Sequence, residues 1–473
     1  MLRWLTAVAL VAVAIVGNGN AAEARRNVVL FVTDDQSPDT GCYGNPFIKT
    51  PNIDRLAAEG VRLDHAFCTT ASCSASRSVI LSGMFNHANA QYGHQHSYHH
   101  FASYDGVKSL PVRLEAAGYR TARIGKYHVA PESVYKFETV LPGNARNPVQ
   151  MADNCEKFLK SEDKRPFFLY FCTADPHRGG GTVESDRYKP NAFGNKGATG
   201  YPGVKEVTYR RDEVQVPPFL PDTPTCRAEL AQYAQSCSRI DQGVGRLVEQ
   251  LKASGHWDNT VLIYTADHGM AFPGGKTTVY EGGMRVPMVV RSPDIQQGSG
   301  VCNAMVSLVD LVPTILDAAG SLPEKLPADL HGRSFYRVLN EQDPKGWDMV
   351  RASHTFHEIT MYYPMRVIRT RKYKLIWNIA HGLPYPFASD LWDAPTWQEI
   401  YKQGPDAYYG KRTVHNYIHR AKFELYDLEA DPDEVVNLAE EKLHAAVLEE
   451  LKLKLKEFQK QTKDPWLLKW DYE

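Results

Sequence analysis

The apolar positions of this chain fall into two regimes. Through the first two-thirds, short apolar runs alternate with segments of helical period. Residues 27–33 (NVVLFVT) are almost continuously apolar, as in a strand buried on both faces. Residues 51–60 and 108–117 read as helices, the second stopped by Gly118. Strands are predicted at 119–129, 166–172 and 260–265. Between the last two, residues 228–254 place Leu230, Tyr233, Ile240, Val244, Leu247, Val248 and Leu251 near helical spacing. Residues 307–320 read as a further helix. This alternation predicts an α/β fold, a mostly parallel sheet covered by helices. Residues 178–224 are rich in Gly, Pro and Asn and read as a surface excursion.

The second regime is different. Residues 365–376 read as two strands joined at Thr370-Arg371-Lys372, with another strand at 423–428. Residues 442–460 form an amphipathic helix with Leu448, Leu451, Leu455 and Phe458 on one side. These predict a smaller C-terminal α+β domain with an antiparallel sheet. The expected division is 1–24, 25–350 for the large domain and 351–473 for the small one.

Residues 1–24 have the form of a secretory leader. Arg3 precedes an apolar stretch over 5–16, and Ala22-Glu23-Ala24 offers a small-residue cleavage site. The stretch is short against the ~20 residues a bilayer span needs. The expectation is an exported protein without a membrane anchor, periplasmic or secreted. The formal net charge of −1 argues against nucleic-acid binding through whole-molecule charge. Any anionic ligand must meet cations local to a pocket. Eight cysteines in an exported chain permit disulfides. Cys172 lies in a strand-like run and reads as a buried thiol. Cys226 and Cys237 are candidates to pair, which spacing does not establish. The oligomeric state is open, a homodimer included.

Four predicted strands share a feature. They lead into Asp34-Asp35, Lys126 with His128, Asp175 with His177, and Asp267-His268. In open α/β sheets, ligands bind beyond the carboxyl ends of the strands. Any one of these residues alone reads as a solvated loop residue; the repetition at four ends predicts one shared site. Lys126 and His128, two apart, point the same way if both lie on the strand. Asp34, Asp35 and Asp267 are hard oxygen ligands suited to calcium or magnesium. His268 brings zinc and manganese in as rivals.

The run Cys73-Ser74-Ala75-Ser76-Arg77 leads through Val79, Ile80 and Leu81 to Gly83, a loop entering a short helix that glycine ends. Cys73 and Arg77 then share a face. A thiol at a helix N-terminus beside a guanidinium is an activated thiol, and that corner attracts an anion. The alternative is an inert buried cysteine with a surface arginine.

The longer pattern, C-x-[PA]-S-R followed by an apolar triplet and [ST]-G, resembles the signature of the sulfatase family. That resemblance implies an alkaline-phosphatase-like large domain. It implies that a formylglycine-generating maturase oxidises Cys73, and that the hydrated aldehyde is the nucleophile. One divalent ion, calcium by resemblance, is expected on Asp34, Asp35, residue 73, Asp267 and His268. Arg77, Lys126 and Lys276 are expected to clamp the sulfate oxygens. His177 is expected to protonate the departing atom, and His128 to serve the hydroxyl whose loss releases sulfate. Segments 99–101, 119–137, 357–366 and 464–466 resemble the heparan N-sulfatase branch of the family. His357, Glu358 and Arg366 are therefore expected on the sugar side of the pocket, and a sulfated glycosaminoglycan saccharide bearing N-sulfoglucosamine is the expected substrate. Ala75 in place of proline, Ser82 in place of threonine, His268, and Lys276 in place of arginine depart from the pattern. The rivals are an O-sulfatase on a related sugar, a phosphoric ester hydrolase of the same superfamily, and an unconverted protein that only binds sulfated glycans.

Overall fold

The structure, a computed structural model, describes residues 25–179, 192–296 and 300–472. The expected leader and residues 180–191 of the excursion lie outside them. Eight strands form the large sheet: β1 (Asn27–Thr33), β2 (Val61–Leu63), β3 (Arg120–Gly125), β4 (Thr139–Leu141), β5 (Phe167–Cys172), β6 (Thr260–Ala266), β7 (Met288–Arg291) and β8 (Gly300–Cys302). Their order is β4-β3-β5-β1-β6-β7-β2-β8. The block from β4 to β6 is parallel throughout, and β7 runs against both of its neighbours.

The apolar run of β1 is continuous because both of its faces are covered. Val28, Leu30 and Val32 join one core cluster, while Val29 and Phe31 join another on the opposite face. Helix α1 (Pro51–Glu59) packs on the second face through Ile53 and Leu56. A 30-residue helix, Pro224–Ala253, contributes Leu230 and Tyr233 to the first cluster and Ile240, Val244, Leu247 and Leu251 to the second. It starts four residues before the predicted position. Thr223 caps it by accepting from the Cys226 amide, and Pro224 fits the first turn, where no amide partner is needed. Cys226 and Cys237 both lie on this helix, about 16 Å apart along its axis at 1.5 Å per residue. That is beyond disulfide reach, and all eight cysteines are free.

The predicted strand over 119–129 is shorter than expected. Gly125 has φ +82°, which ends β3 there, and His128 has φ +58°. Lys126 and His128 sit in the following loop and share no strand face.

The C-terminal sheet is antiparallel, in the order β9 (Met349–His354), β10 (Met365–Thr370), β11 (Tyr373–Asn378), β12 (Phe423–Asp427). It begins at Met349, so β9 runs across the expected 350/351 division. Helix Ala445–Gln461 covers it with Leu448, Leu451, Leu455 and Phe458. Buried charge ties this sheet to the large domain. Lys374 and Arg369 each reach Glu281 at 3.2 Å. No helix among the described residues is long and apolar enough to cross a membrane.

Gly125 is a point where the fold tolerates no side chain. A Cβ there would lie 2.0 Å from the Cys172 carbonyl oxygen and 2.6 Å from Met151 Cε. Gly125→Ala is expected to cost at least about 2 kcal/mol through overpacking and a strained backbone. Thermal unfolding of the variant against the parent checks this.

Candidate active site

The register of the parallel block sets the site. Gly125 and Val32 both pair with Cys172, and Thr33 pairs with Ala266, so four strands end almost flush. Backbone bonds carry the alignment onward. The Asp34 amide donates to the Asp175 carbonyl at 3.0 Å, Lys126 to Cys172 at 2.9 Å and Asp267 to Thr33 at 3.0 Å. The charged residues that follow these strands are thereby brought to one place.

Helix α2 (Cys73–Ser82) points its N-terminus at the same place. All ten of its residues are buried, and Gly83 (φ +69°) ends it, its N–H donating to the Val79 carbonyl. Cys73 Sγ lies 3.3 Å from His268 Nε2 and 3.6 Å from Asp35 Oδ1. One turn on, Arg77 Nε donates to Asp267 Oδ2 at 3.0 Å, Nη1 to the Lys126 carbonyl at 3.1 Å and Nη2 to Asp34 Oδ1 at 3.4 Å. Ser76 Oγ donates to the Asp267 carbonyl at 2.6 Å. Lys126 is paired with the other oxygen of Asp34. Lys276, 1% exposed, spends its donors on Asp35 (3.1 Å), Asp390 (2.8 Å) and His177 Nε2 (3.0 Å).

Burial opposes ionisation of Asp34 and Asp35. Lys126 in the first case and Lys276 in the second nonetheless hold these carboxyls below the usual range. Asp267 behaves otherwise. Burial, with Asp34 and Asp35 adding to it, pushes it up to about 6 against the pull of His268 and Arg77. Arg77, Lys126 and Lys276 stand against these three carboxylates. His268 turns Nδ1 to the Gly269 carbonyl at 3.0 Å and Nε2 toward Asp35, 3.2 Å away. Asp35 with His268, and Asp34 with Asp267, each bring ligand atoms within 4.8 Å of one another and of residue 73, an arrangement suited to a divalent ion.

His177 is held neutral. Its Nδ1 donates to the Arg178 carbonyl, and burial with Lys276 lowers its pKa to about 4. Near Lys126 stands a cluster of imidazoles. His128 Nε2 meets His96 Nδ1 at 2.6 Å, His94 Nε2 meets His357 Nε2 at 2.9 Å, and His357 Nδ1 meets Ser72 Oγ at 3.0 Å.

A family model described as Sulfatase matches residues 26–321, and one described as N-sulphoglucosamine sulphohydrolase, C-terminal, matches residues 268–403. Human N-sulphoglucosamine sulphohydrolase is 38% identical, over 93% of this chain and 91% of that protein. The chain belongs to the sulfatase family. An ulvan-active sulfatase of Formosa agariphila is 29% identical over 91% of this chain and 79% of its own length. A protein solved in complex with its substrate D-glucosamine-2-N,6-O-disulfate shares the fold, with a TM-score of 0.65 and 22% identity over 93% of this chain and 99% of that one.

Several residues of this sulfatase stand in places other than expected. Cys73 is not an activated thiol: burial pushes its pKa well above the ordinary value, outweighing Lys126. Arg77 has no face toward an incoming sulfate, because its guanidinium is taken up by Asp267, Asp34 and the Lys126 carbonyl. It braces the carboxylates. Asp175 turns away from the ion ligands and pairs with Arg146 and Arg239. His357 is buried behind His94 and supports it. Glu358 accepts from the Ser389 amide (2.9 Å) and hydroxyl (2.7 Å), which positions the short helix Ser389–Trp392. That helix carries Asp390, which the sequence reading missed. Its only local signal is an acid in a first turn.

Arg366 was expected against the sugar, yet it is fully buried. It forms a two-pronged pair with Asp464, at 2.5 Å and 2.9 Å, and donates to the His354 carbonyl at 3.0 Å. Burial opposes ionisation of Asp464, but Arg366 holds its carboxyl far below the usual range. The pair's stabilisation is therefore present at neutral pH and is lost as pH falls below the ordinary carboxylate range. Asp464→Ala strands a buried guanidinium and is expected to cost about 3–5 kcal/mol. Unfolding at pH 7 should show that loss while KM stays near the parent value; a changed KM with unchanged stability would restore the sugar-binding role.

Proposed function

We propose that this sulfatase hydrolyses the N–S bond of N-sulfoglucosamine in heparan-type saccharides, using formylglycine made from Cys73 by a maturase and one calcium ion. The observation that carries the proposal is the placement of residue 73. It lies at a buried helix N-terminus against three carboxylates and two lysines, in a chain whose residues 268–403 match the model described as N-sulphoglucosamine sulphohydrolase, C-terminal. Export follows from the leader-like residues 1–24, with the periplasm or the outside as destination.

When bound, the ion supplies Lewis-acid polarisation of a sulfate oxygen and of the residue-73 hydroxyl. A hydrated aldehyde at position 73 offers two hydroxyls, one to attack sulfur and one to re-form the carbonyl and expel sulfate. The remaining work falls to the chain's own side chains. Sulfuryl transfer needs positioning and charge stabilisation more than covalent help from the protein. Lys126, part-exposed beside Asp34, supplies positive charge to the sulfate oxygens. As the N–S bond breaks, the leaving nitrogen needs a proton. The Lys276–His177 pair carries one, with Nζ donating to Nε2 at 3.0 Å. His128, held neutral first by burial and then by Lys126, takes the proton of the second hydroxyl. Asp390 fixes the Lys276 ammonium in this arrangement.

The test compares N-sulfoglucosamine with glucosamine 6-sulfate as substrates, alongside Cys73→Ala. Release of sulfate from the N-sulfated sugar, abolished in the variant while its unfolding temperature is kept, is the expected result. Activity on the 6-O-sulfated sugar alone would replace the N-sulfatase reading with that of an O-sulfatase.

A further inference from the structure

The imidazole cluster contains a set of ligands that the hydrolysis does not need as a set. His94, His96 and His128 each offer a ring nitrogen, and the three lie within 4.8 Å of one another. His94 and His96 come from the loop before Phe101, and His128 from the loop after β3. Their exposure is graded: His94 is buried, His128 half-buried and His96 open to solvent, so an ion has a way in. The rings lie against one another, His94 centred 4.7 Å from His96 in a tilted contact and 4.9 Å from His128 in a stacked one. His128 Nδ1 is buried without a hydrogen-bond partner. His94 is fixed from behind by His357, itself held by Ser72, the kind of outer partner that orients a metal-bound histidine.

The chemistry of this set differs from that of the aspartate site. It holds no carboxylate, and burial lowers the pKa of all three histidines, so they present neutral nitrogen lone pairs. Neutral imidazoles suit zinc and its borderline neighbours and suit calcium poorly. The surrounding charges are mostly positive: Lys126 disfavours a cation near all three rings and Lys276 near His94 and His96, offset in part by Glu358 near His96 and by Asp34 near His128.

We propose that His94, His96 and His128 form a second metal site, of imidazole type, which takes zinc, and that zinc there stops turnover by occupying His128. The inhibitory half of this rests on the role given to His128 above; the binding half does not. Three protein ligands leave one position of a tetrahedral ion open toward the pocket.

The experiment uses the calcium-saturated protein and its His96→Gln variant, dialysed against zinc chloride and analysed for metal. The parent is expected to hold one zinc more than the variant. Loss of an outer partner alone weakens metal sites by about 10–100-fold, so loss of a ligand should raise the half-inhibitory zinc concentration at least about tenfold. Each protein is read against its own zinc-free rate. Equal zinc content in the two proteins would overturn the site. Extra zinc in the parent with equal inhibition of both would overturn its effect on turnover. Should the sugar assay fail altogether, the dialysis result still decides whether the site exists.

Discussion

Three carboxyl groups, on Asp34, Asp35 and Asp267, stand at the ends of two adjacent parallel strands with no exposure to solvent. Moving an ionised carboxylate out of water costs several kcal/mol even after relaxation. Cations brought from elsewhere in the fold offset that cost. Arg77 comes from a helix, Lys126 from the loop after β3, and Lys276 from the segment after β6. Each is useful only because the strand ends are flush, so the register of the parallel block and the charge balance of the site are one constraint.

Helix α2 is the second element that cannot drift. Val79 belongs to the core of the C-terminal sheet, while Ile80 and Leu81 belong to the main core. The helix is thus gripped by both domains, and residue 73 at its head inherits that rigidity. The small domain also reaches the site directly. Asp390 anchors Lys276, and Glu358 anchors the helix bearing Asp390. The lysine that faces His177 is thus held in part by the small domain.

The parts of this picture legible in the sequence are those with a period or a punctuation mark. The apolar runs over 27–33, 166–172 and 260–265 marked the parallel block, because strands buried on both faces need no polar alternation. Gly83 and Gly118 marked helix ends. The strand-end rule found Asp34, Asp35, Lys126, His177, Asp267 and His268 before any coordinates. It failed for Asp390, His94 and His96, which arrive from loops and a four-residue helix through long-range packing that has no local signature. It also misjudged partners. Arg366 and Arg77 read as ligand-binding cations, yet each is consumed by a buried carboxylate, Asp464 in one case and Asp267 in the other. Sequence spacing shows that a charge is present; only packing shows what neutralises it.

The central physical claim is that the buried carboxylates share one divalent cation. A crystal structure of the protein grown in saturating calcium, with the ion located by its anomalous scattering, tests this most directly. One ion in contact with Asp34, Asp35 and Asp267 and adjoining residue 73 is the expected result. Well-ordered carboxylates with no ion between them, or an ion held only at other residues, would contradict it.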